Sequence, residues 1–421
     1  MSASSSSNWD RRTVLRAAMG LAAAGGLAAC GSNTGRGGGS GSGKNLVQYF
    51  HAYGEAGVEQ AVKRYAKAYE EADVTTRWIT GNNFEQKLFA ALLTDNAPDV
   101  FEFHPQIQLV KSGQVADLTD IIEPVKDDFN QADIRSHTVD GKTYGVRMID
   151  DPQFFFYRPS MFEKAGVEVP ATLEELVEAA ARLRTSKVKG AYLGNDLTPV
   201  QHNLIWSAGA DTLTAGNEPA FNTDAVADGL KQLRGLFTSG DLLLGAPADW
   251  WDPSAFTQGL TAIQWCGMWA MPVMQKALGD DIGIFPFPKV GSGGKASVYN
   301  GGWSMFVNAK GKNVEAAKEY VKWLWIDQKQ YQEDFATSYG FHIPPRTSLA
   351  RSADKLKSGL PAEGVKLFNE FGHFDNIGWT QAMIAAFNDV MANSVRRNGD
   401  PKAQLAACEK KVGAELKKLF G

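Results

Sequence analysis

The sequence predicts an α/β fold, with open parallel sheet covered by helices and chain enough for two domains. Three observations predict it. Strand-like and helix-like segments alternate from residue 46 as β-α-β-α-β, an order that builds parallel sheet. The alternation resumes after residue 150. Once a leader and a glycine–serine stretch are set aside, under four hundred of the 421 residues remain, enough for two cores.

The leader comes first. Arg11-Arg12 forms a charged start and Ala17–Ala29 is apolar but shorter than the ~20 residues a spanning helix needs. The arginine pair resembles a twin-arginine export signal, with Asp10 and Val14 departing from that pattern. Leu27-Ala28-Ala29-Cys30 resembles a bacterial lipobox, which implies cleavage after residue 29 and a lipid on Cys30. Residues 31–43 are almost all glycine and serine and read as a tether. Residues 38–45 come one residue short of a phosphate-binding loop, but lack the preceding strand and the Ser or Thr for magnesium.

Leu46–Phe50 alternates and reads as a strand. Val58, Ala61, Val62, Tyr65, Ala66 and Tyr69 recur at helical spacing, giving a helix over about 57–71. Val74–Thr80, β-branched and aromatic, is a second strand. Asn82 and Glu85 resemble a capping pair before Phe84, Leu88 and Leu92; Pro98 stops that helix and Asp99–Phe103 is a third strand. Phe154–Tyr157 is an apolar strand, and Thr172-Leu173-Glu174-Glu175 is a capping box opening a helix to about Leu183. Helices follow over Asn203–Ala208, Val226–Phe237 and Phe256–Leu260. Trp303–Asn308 is a strand, and Asn313 is expected to cap a helix burying Val314, Ala317, Val321 and Leu324. From about Gly364 the chain is mainly helical and ends in a lysine-rich amphipathic helix.

The net charge of −4 gives no reason to expect nucleic acid or an anionic membrane surface as partner. Six histidines are scattered without metal-ligand spacing, and no cofactor is expected. Cys266 and Cys408 are expected to stay unpaired as small apolar residues. Eleven tryptophans fill cores and can also line a site for flat, amphipathic ligands. Open parallel sheets bind ligands beyond their strands' C-terminal ends, which singles out the loops at 51–57, 102–106, 150–153, around Trp269 and at 300–303.

Those loops carry ordered family words. Phe84-Glu85-Gln86-Lys87-Leu88 with Ala97-Pro98-Asp99-Val100-Phe101, Lys142-Thr143-Tyr144-Gly145-Val146 with Phe155-Phe156-Tyr157-Arg158-Pro159, Gln258–Ile263 with Gly267-Met268-Trp269-Ala270, and Gly301-Gly302-Trp303-Ser304 together resemble family 1 extracellular solute-binding proteins, the sugar receptors of ABC importers. Arg147 stands where that pattern has proline, and Arg158-Pro159 where it has Asn-Lys. The resemblance implies a two-lobed periplasmic-binding-protein fold of type II, each lobe an open, mostly parallel sheet flanked by helices, with a hinge between them. Residues 1–29 would be the signal peptide and 30–44 the lipidated cysteine and tether. One lobe would be 45–149 plus 301–345, the other 150–300 plus 346–421. Expected partners are a carbohydrate, permease subunits and, through Cys30, the outer face of the cell membrane, with the protein a monomer.

Ligand candidates follow from the resemblance and from chemistry. Trp269 matches a tryptophan that stacks on a pyranose ring; Trp303 follows a glycine pair that admits close backbone approach; Trp379 falls near a stacking aromatic. Asp151 matches an acidic residue that accepts sugar hydroxyls, and Asp150 beside it points to the opposite face of a strand. His51 and Tyr53 follow the first strand, Glu102 and His104 end the third, and Gln201 lies on a further contact loop with His202. Each has a bland alternative in core packing or a solvated turn. No catalytic residue is expected: there is no Ser elbow, no zinc helix and no separated carboxylate pair of the kind a glycoside hydrolase needs. A receptor for a polyamine or other cation is the alternative within binding proteins, with Asp150, Asp151, Glu102 and the tryptophans forming its box.

Overall fold

A computed structural model describes residues 45–80 and 83–421. Arg11-Arg12, Cys30, the 31–43 stretch, the 38–45 pattern up to its last residue, and Asn82 lie outside them. The described strands, in chain order, are β1 Asn45–His51, β2 Asp73–Ile79, β3 Val100–Phe103, β4 Thr138–Val139, β5 Lys142–Thr143, β6 Val146–Ile149, β7 Pro152–Tyr157, β8 Lys189–Tyr192, β9 Thr261–Gly267, β10 Gly283–Phe285, β11 Val298–Asn300, β12 Trp303–Val307 and β13 Gly372–His373.

The first sheet runs β2-β1-β3-β12-β6. Burial explains the order. In β1, Leu46, Gln48, Tyr49 and Phe50 are all buried, as an inner strand demands, and the Gln48 amide is satisfied by Thr76 Oγ1 at 2.6 Å and the Tyr320 hydroxyl at 3.0 Å. β2, at the edge, alternates exposed with half-buried residues. Helix Val58–Lys67 starts after Gly57, whose φ of 97° suits glycine, and buries Val58, Ala61, Val62, Tyr65 and Ala66 in one stripe. Helix Val314–Lys322 adds Ala317, Tyr320 and Val321 to the same core. Helix Phe84–Leu92 covers the other face, packing Phe84, Leu88 and Leu92 with Phe101, Phe103 and Phe306.

The second sheet runs β13-β11-β7-β9-β8, with β10 also on β7. Its centre is the apolar run Phe154-Phe155-Phe156. The period of two sends Phe154 and Phe156 into one core and Phe155, with Trp265 and Phe285, into another. Each such ring contributes about 2 kcal/mol by leaving water. The Thr172 capping box forms as expected, Thr172 Oγ1 accepting from the Glu175 N–H at 3.1 Å and Glu175 Oε2 from the Thr172 N–H at 3.2 Å.

Several expectations change. The sheets are mixed rather than mostly parallel. β1 pairs parallel with β2 and β3, but β12 is antiparallel to β3 and β6, and β7 is antiparallel to β9, β10 and β11. The cause is that β12 arrives from the second sheet and enters the first in reverse. Asn313 does not cap its helix; its amide donates instead to the Asn45 carbonyl at 3.1 Å. Leu324 lies in a π-turn at Trp323–Asp327 that continues the helix. The helix begun at Phe84 ends at Leu92, before Pro98, and the segment near Phe256 is one turn, Ser254–Thr257.

Three chain segments cross between the sheets side by side. Asp150 and Ile343 exchange both backbone hydrogen bonds, at 2.9 and 3.0 Å, and Gly301 donates to the Asp151 carbonyl at 3.0 Å. Elements of the two sheets also touch away from this crossing. The Ile107 N–H donates to Ile377 O at 3.1 Å, Lys111 donates to Leu419 O with its Nζ 4.4 Å from the Phe420 ring centre, and a Cβ on Gly54 would lie 3.9 Å from the Trp251 ring. Cys266 and Cys408 are free and buried; burial pushes both thiols up, Cys408 to about 12. No helix among the described residues is long and apolar enough to cross a membrane.

Candidate functional site

Register brings the singled-out loops together. β12 runs antiparallel to β3 and β6, so its start, Trp303, lies on the edge where β1, β3 and β6 end. That edge therefore carries His51, Tyr53, Glu102, His104, Asp150, Asp151 and Trp303. In the second sheet, Gly267 at the end of β9 and Tyr299 in β11 both face Gln153 at the start of β7, and His373 faces Tyr299. The crossing residues 150–153 and 299–303 join these two edges.

On the first edge, Glu102 is fully buried and accepts from the His51 backbone N–H, His51 Nδ1 and the Tyr53 hydroxyl, the last at 2.9 Å. Burial, then the Glu102 charge, pushes the Tyr53 phenol well above its ordinary range, so it stays a donor. Trp303 packs on both imidazoles, with ring centres 4.0 Å from His51 and 4.2 Å from His104. Burial lowers His104 to about 4, leaving a neutral ring that can give or accept a hydrogen bond at neutral pH. The glycine pair before Trp303 has a reason: Gly302 adopts φ 45°, and a Cβ there would meet Ile149 O at 2.5 Å and an Arg147 guanidinium nitrogen at 2.7 Å.

At the crossing, between β6 and β7, the two aspartates take different partners. Asp151 pairs with His342 Nδ1, whose Nε2 lies 3.5 Å from Glu55. Burial alone would lower His342, but the Asp151 and Glu55 charges outweigh it and raise it to about 10. Asp150, 1% exposed, accepts from the Asn300 amide at 2.7 Å and lies 3.2 Å from Arg147 Nε, which donates to Asp133 at 2.7 Å. Burial drives the Asp133 and Asp150 carboxyls up, against the pull of Arg147.

On the second edge, Trp269 is half-buried, with its Nε1 donating to Trp251 O at 3.1 Å and its ring edge-on to Trp250. A Cβ on Gly267 would fall 1.7 Å from the Trp269 ring, so the glycine two residues earlier lets the indole fold back over its own chain. His202, Trp206, Tyr299 and His373 form a near-parallel stack with ring centres 4.9–5.9 Å apart. Gln201 is buried, its Oε1 without a partner.

One expected residue sits elsewhere and another is already engaged. Trp379 is 4% exposed, edge-on to Phe221 in the second sheet's core, and its ring faces are covered by packing. Asp150 serves Arg147, as above. Sequence reasoning missed Glu55, Arg147, Trp206, Tyr299, His342 and Asp375. Glu55 lay in the singled-out 51–57 loop, and Arg147 left a signal by departing from the resembled pattern. Among the described residues no group of His, Cys, Asp and Glu could hold a metal ion.

Comparison with known proteins adds to this geometry. The model of the bacterial extracellular solute-binding protein family matches residues 51–325. The chain is 24% identical over 362 residues to the maltodextrin-binding protein of Bacillus subtilis, covering 79% of this chain and 83% of that one. It is 26% identical over 269 residues to a probable amino-acid ABC transporter periplasmic-binding protein of Sinorhizobium fredii, covering 58% of this chain. Of that relative's own length the match spans 60%. The GacH receptor of Streptomyces glaucescens, solved unliganded and with acarbose, superposes with a TM-score of 0.76 at 22% identity, over 90% of this chain and 98% of its own. That likeness is one of fold.

Proposed function

Since this chain belongs to the bacterial extracellular solute-binding protein family, we propose that it is the substrate-binding protein of an ABC importer, capturing a sugar or oligosaccharide between its two sheets and passing it to the permease. One observation carries the reading. Aromatic faces and hydrogen-bonded polar groups converge on the edges of two sheets joined by crossing segments, the arrangement that a closing receptor uses. The maltodextrin-binding relative and the acarbose-binding fold neighbour support a carbohydrate over other solutes.

In this reading the lobes are 45–149 plus 301–345 and 150–300 plus 346–421. Trp269 and Trp303 offer ring faces to a pyranose, and Glu102, Asp151, Tyr53, His51, His104 and Gln201 meet its hydroxyls. The chain works as a monomer and performs no reaction. Export by Arg11-Arg12 and a lipid on Cys30 place it on the outer face of the membrane, with residues 31–43 as tether. A polyamine reading has less support, because Glu102, Asp150 and Asp151 already face a histidine, a guanidinium or a phenol.

Calorimetric titration of the protein, cut to begin at residue 45, with neutral mono- and oligosaccharides, spermidine and amino acids tests this. At least one saccharide is expected to bind at micromolar Kd or tighter, with little dependence on salt. Tight spermidine binding that collapses in salt, against a silent saccharide panel, would overturn it.

A further inference from the structure

Asp375 was not foreseen from the sequence, and its surroundings say what kind of saccharide the cleft takes. Its Oδ2 accepts from the Tyr299 hydroxyl at 2.7 Å, while its Oδ1, buried, has no hydrogen-bond partner. His202 Nδ1 lies 3.7 Å from that same Oδ1. His202 is 8% exposed and Gln201 beside it 7% exposed, yet His202 Nε2 and Gln201 Oε1 are both unpartnered. The three buried polar atoms without partners belong to Asp375 and to two successive residues at the start of helix Gln201–Ser207, where His202 packs beside the rings of Trp206 and Tyr299. Such atoms are costly unless something bonds to them.

The electrostatics restrict that something. The Asp375 charge reaches His104 on the first edge, and burial keeps His104 neutral. Arg147 is felt at both His104 and Tyr299, but Asp133 and Asp150 already match its charge. With the Arg147 charge already matched, a ligand carboxylate placed here would meet the like charge of Asp375.

We infer that Asp375, His202 and Gln201, with His104 opposite, form a donor-seeking subsite that takes the hydroxyls of an uncharged sugar unit and rejects a uronic acid in its place. This rests on the sugar-capture reading. Asp375 Oδ1 and Gln201 Oε1 accept hydroxyl protons, the former as a charge-assisted bond. Tyr299, the partly exposed ring of that stack, offers an apolar face to the same unit.

The test is calorimetry with neutral gluco-, galacto- and manno-trisaccharides and with their uronate counterparts, on the wild type and on Asp375→Asn. The asparagine keeps an acceptor for Tyr299, removes the charge and turns the second acceptor into a donor. The wild type is expected to prefer the neutral member of the pair that binds by at least tenfold. In Asp375→Asn the neutral sugar should weaken about tenfold and the discrimination against uronate should narrow. Equal wild-type binding of neutral and uronate sugars, which needs no variant, would overturn the subsite while leaving sugar capture intact; so would an unchanged affinity in Asp375→Asn. A silent panel throughout overturns the capture reading and the subsite with it.

Discussion

Arg147 departs from the pattern that the sequence resembles, and its side chain is 4% exposed between Asp133 and Asp150. Removing it leaves two buried carboxyls with no counter-charge, so Arg147→Met should destabilise by about 3–5 kcal/mol, read from urea unfolding. Adding Asp133→Asn and Asp150→Asn should restore most of that loss; a triple variant as weak as the single one would refute the pairing account. His342 makes a prediction in pH. Its folded pKa is raised to about 10 from an ordinary value near 6.5. A raised value means that its stabilising contribution is complete below pH ~6.5 and is lost as pH climbs through about 10. His342→Gln should therefore flatten the fall of the urea midpoint over that alkaline window, and an unaltered slope would count against the Asp151–His342–Glu55 cluster. Neither group was legible beforehand. Asp151 and His342 stand 191 residues apart, and Arg147 advertised itself only as a departure. His51, Tyr53, Glu102 and His104 were legible because each lies at or just beyond the end of a strand that the sequence marks, and strand ends are where such sheets gather side chains.

Local signals foretold elements better than their partners. Thr172 and Glu175 announced a helix start that forms with both reciprocal bonds, and Thr172→Ala should cost about 1 kcal/mol in thermal unfolding. Asn313 looked equally suited to capping but lends its amide to a backbone carbonyl 268 residues away, a choice no local window contains. Strand direction was hidden for the same reason: Trp303–Val307 reads as a strand whichever way it enters a sheet. A more severe outcome is expected where β8 crosses helix Leu173–Leu183. A Cβ on Gly190 would lie 1.9 Å from the Ala180 carbonyl oxygen, so Gly190→Ala should force strand and helix apart and cost roughly 2–3 kcal/mol or more. A melting temperature within a degree of wild type would show that strand and helix have room for the methyl group.

At the scale of the molecule, the contacts outside the crossing strands bear on closure. Lys111 reaches from the first sheet's side to Leu419 and Phe420 at the end of helix Pro401–Phe420. It holds no site residue, so Lys111→Ala should leave ligand chemistry alone and loosen only the apposition. The expected result is a larger radius of gyration by small-angle scattering without ligand, and a wild-type radius when saturated. Identical ligand-free radii would remove Lys111 from the balance.

The two buried thiols have a practical consequence. Cys266 and Cys408 are inaccessible and hard to ionise, so a chain begun at residue 45 should scarcely react with maleimide while folded. A single cysteine placed at Leu93, 86% exposed, would then be the lone reactive handle, and native residues need no mutation before a dye is attached. The protein is in effect already prepared as an optical sensor for whatever it captures.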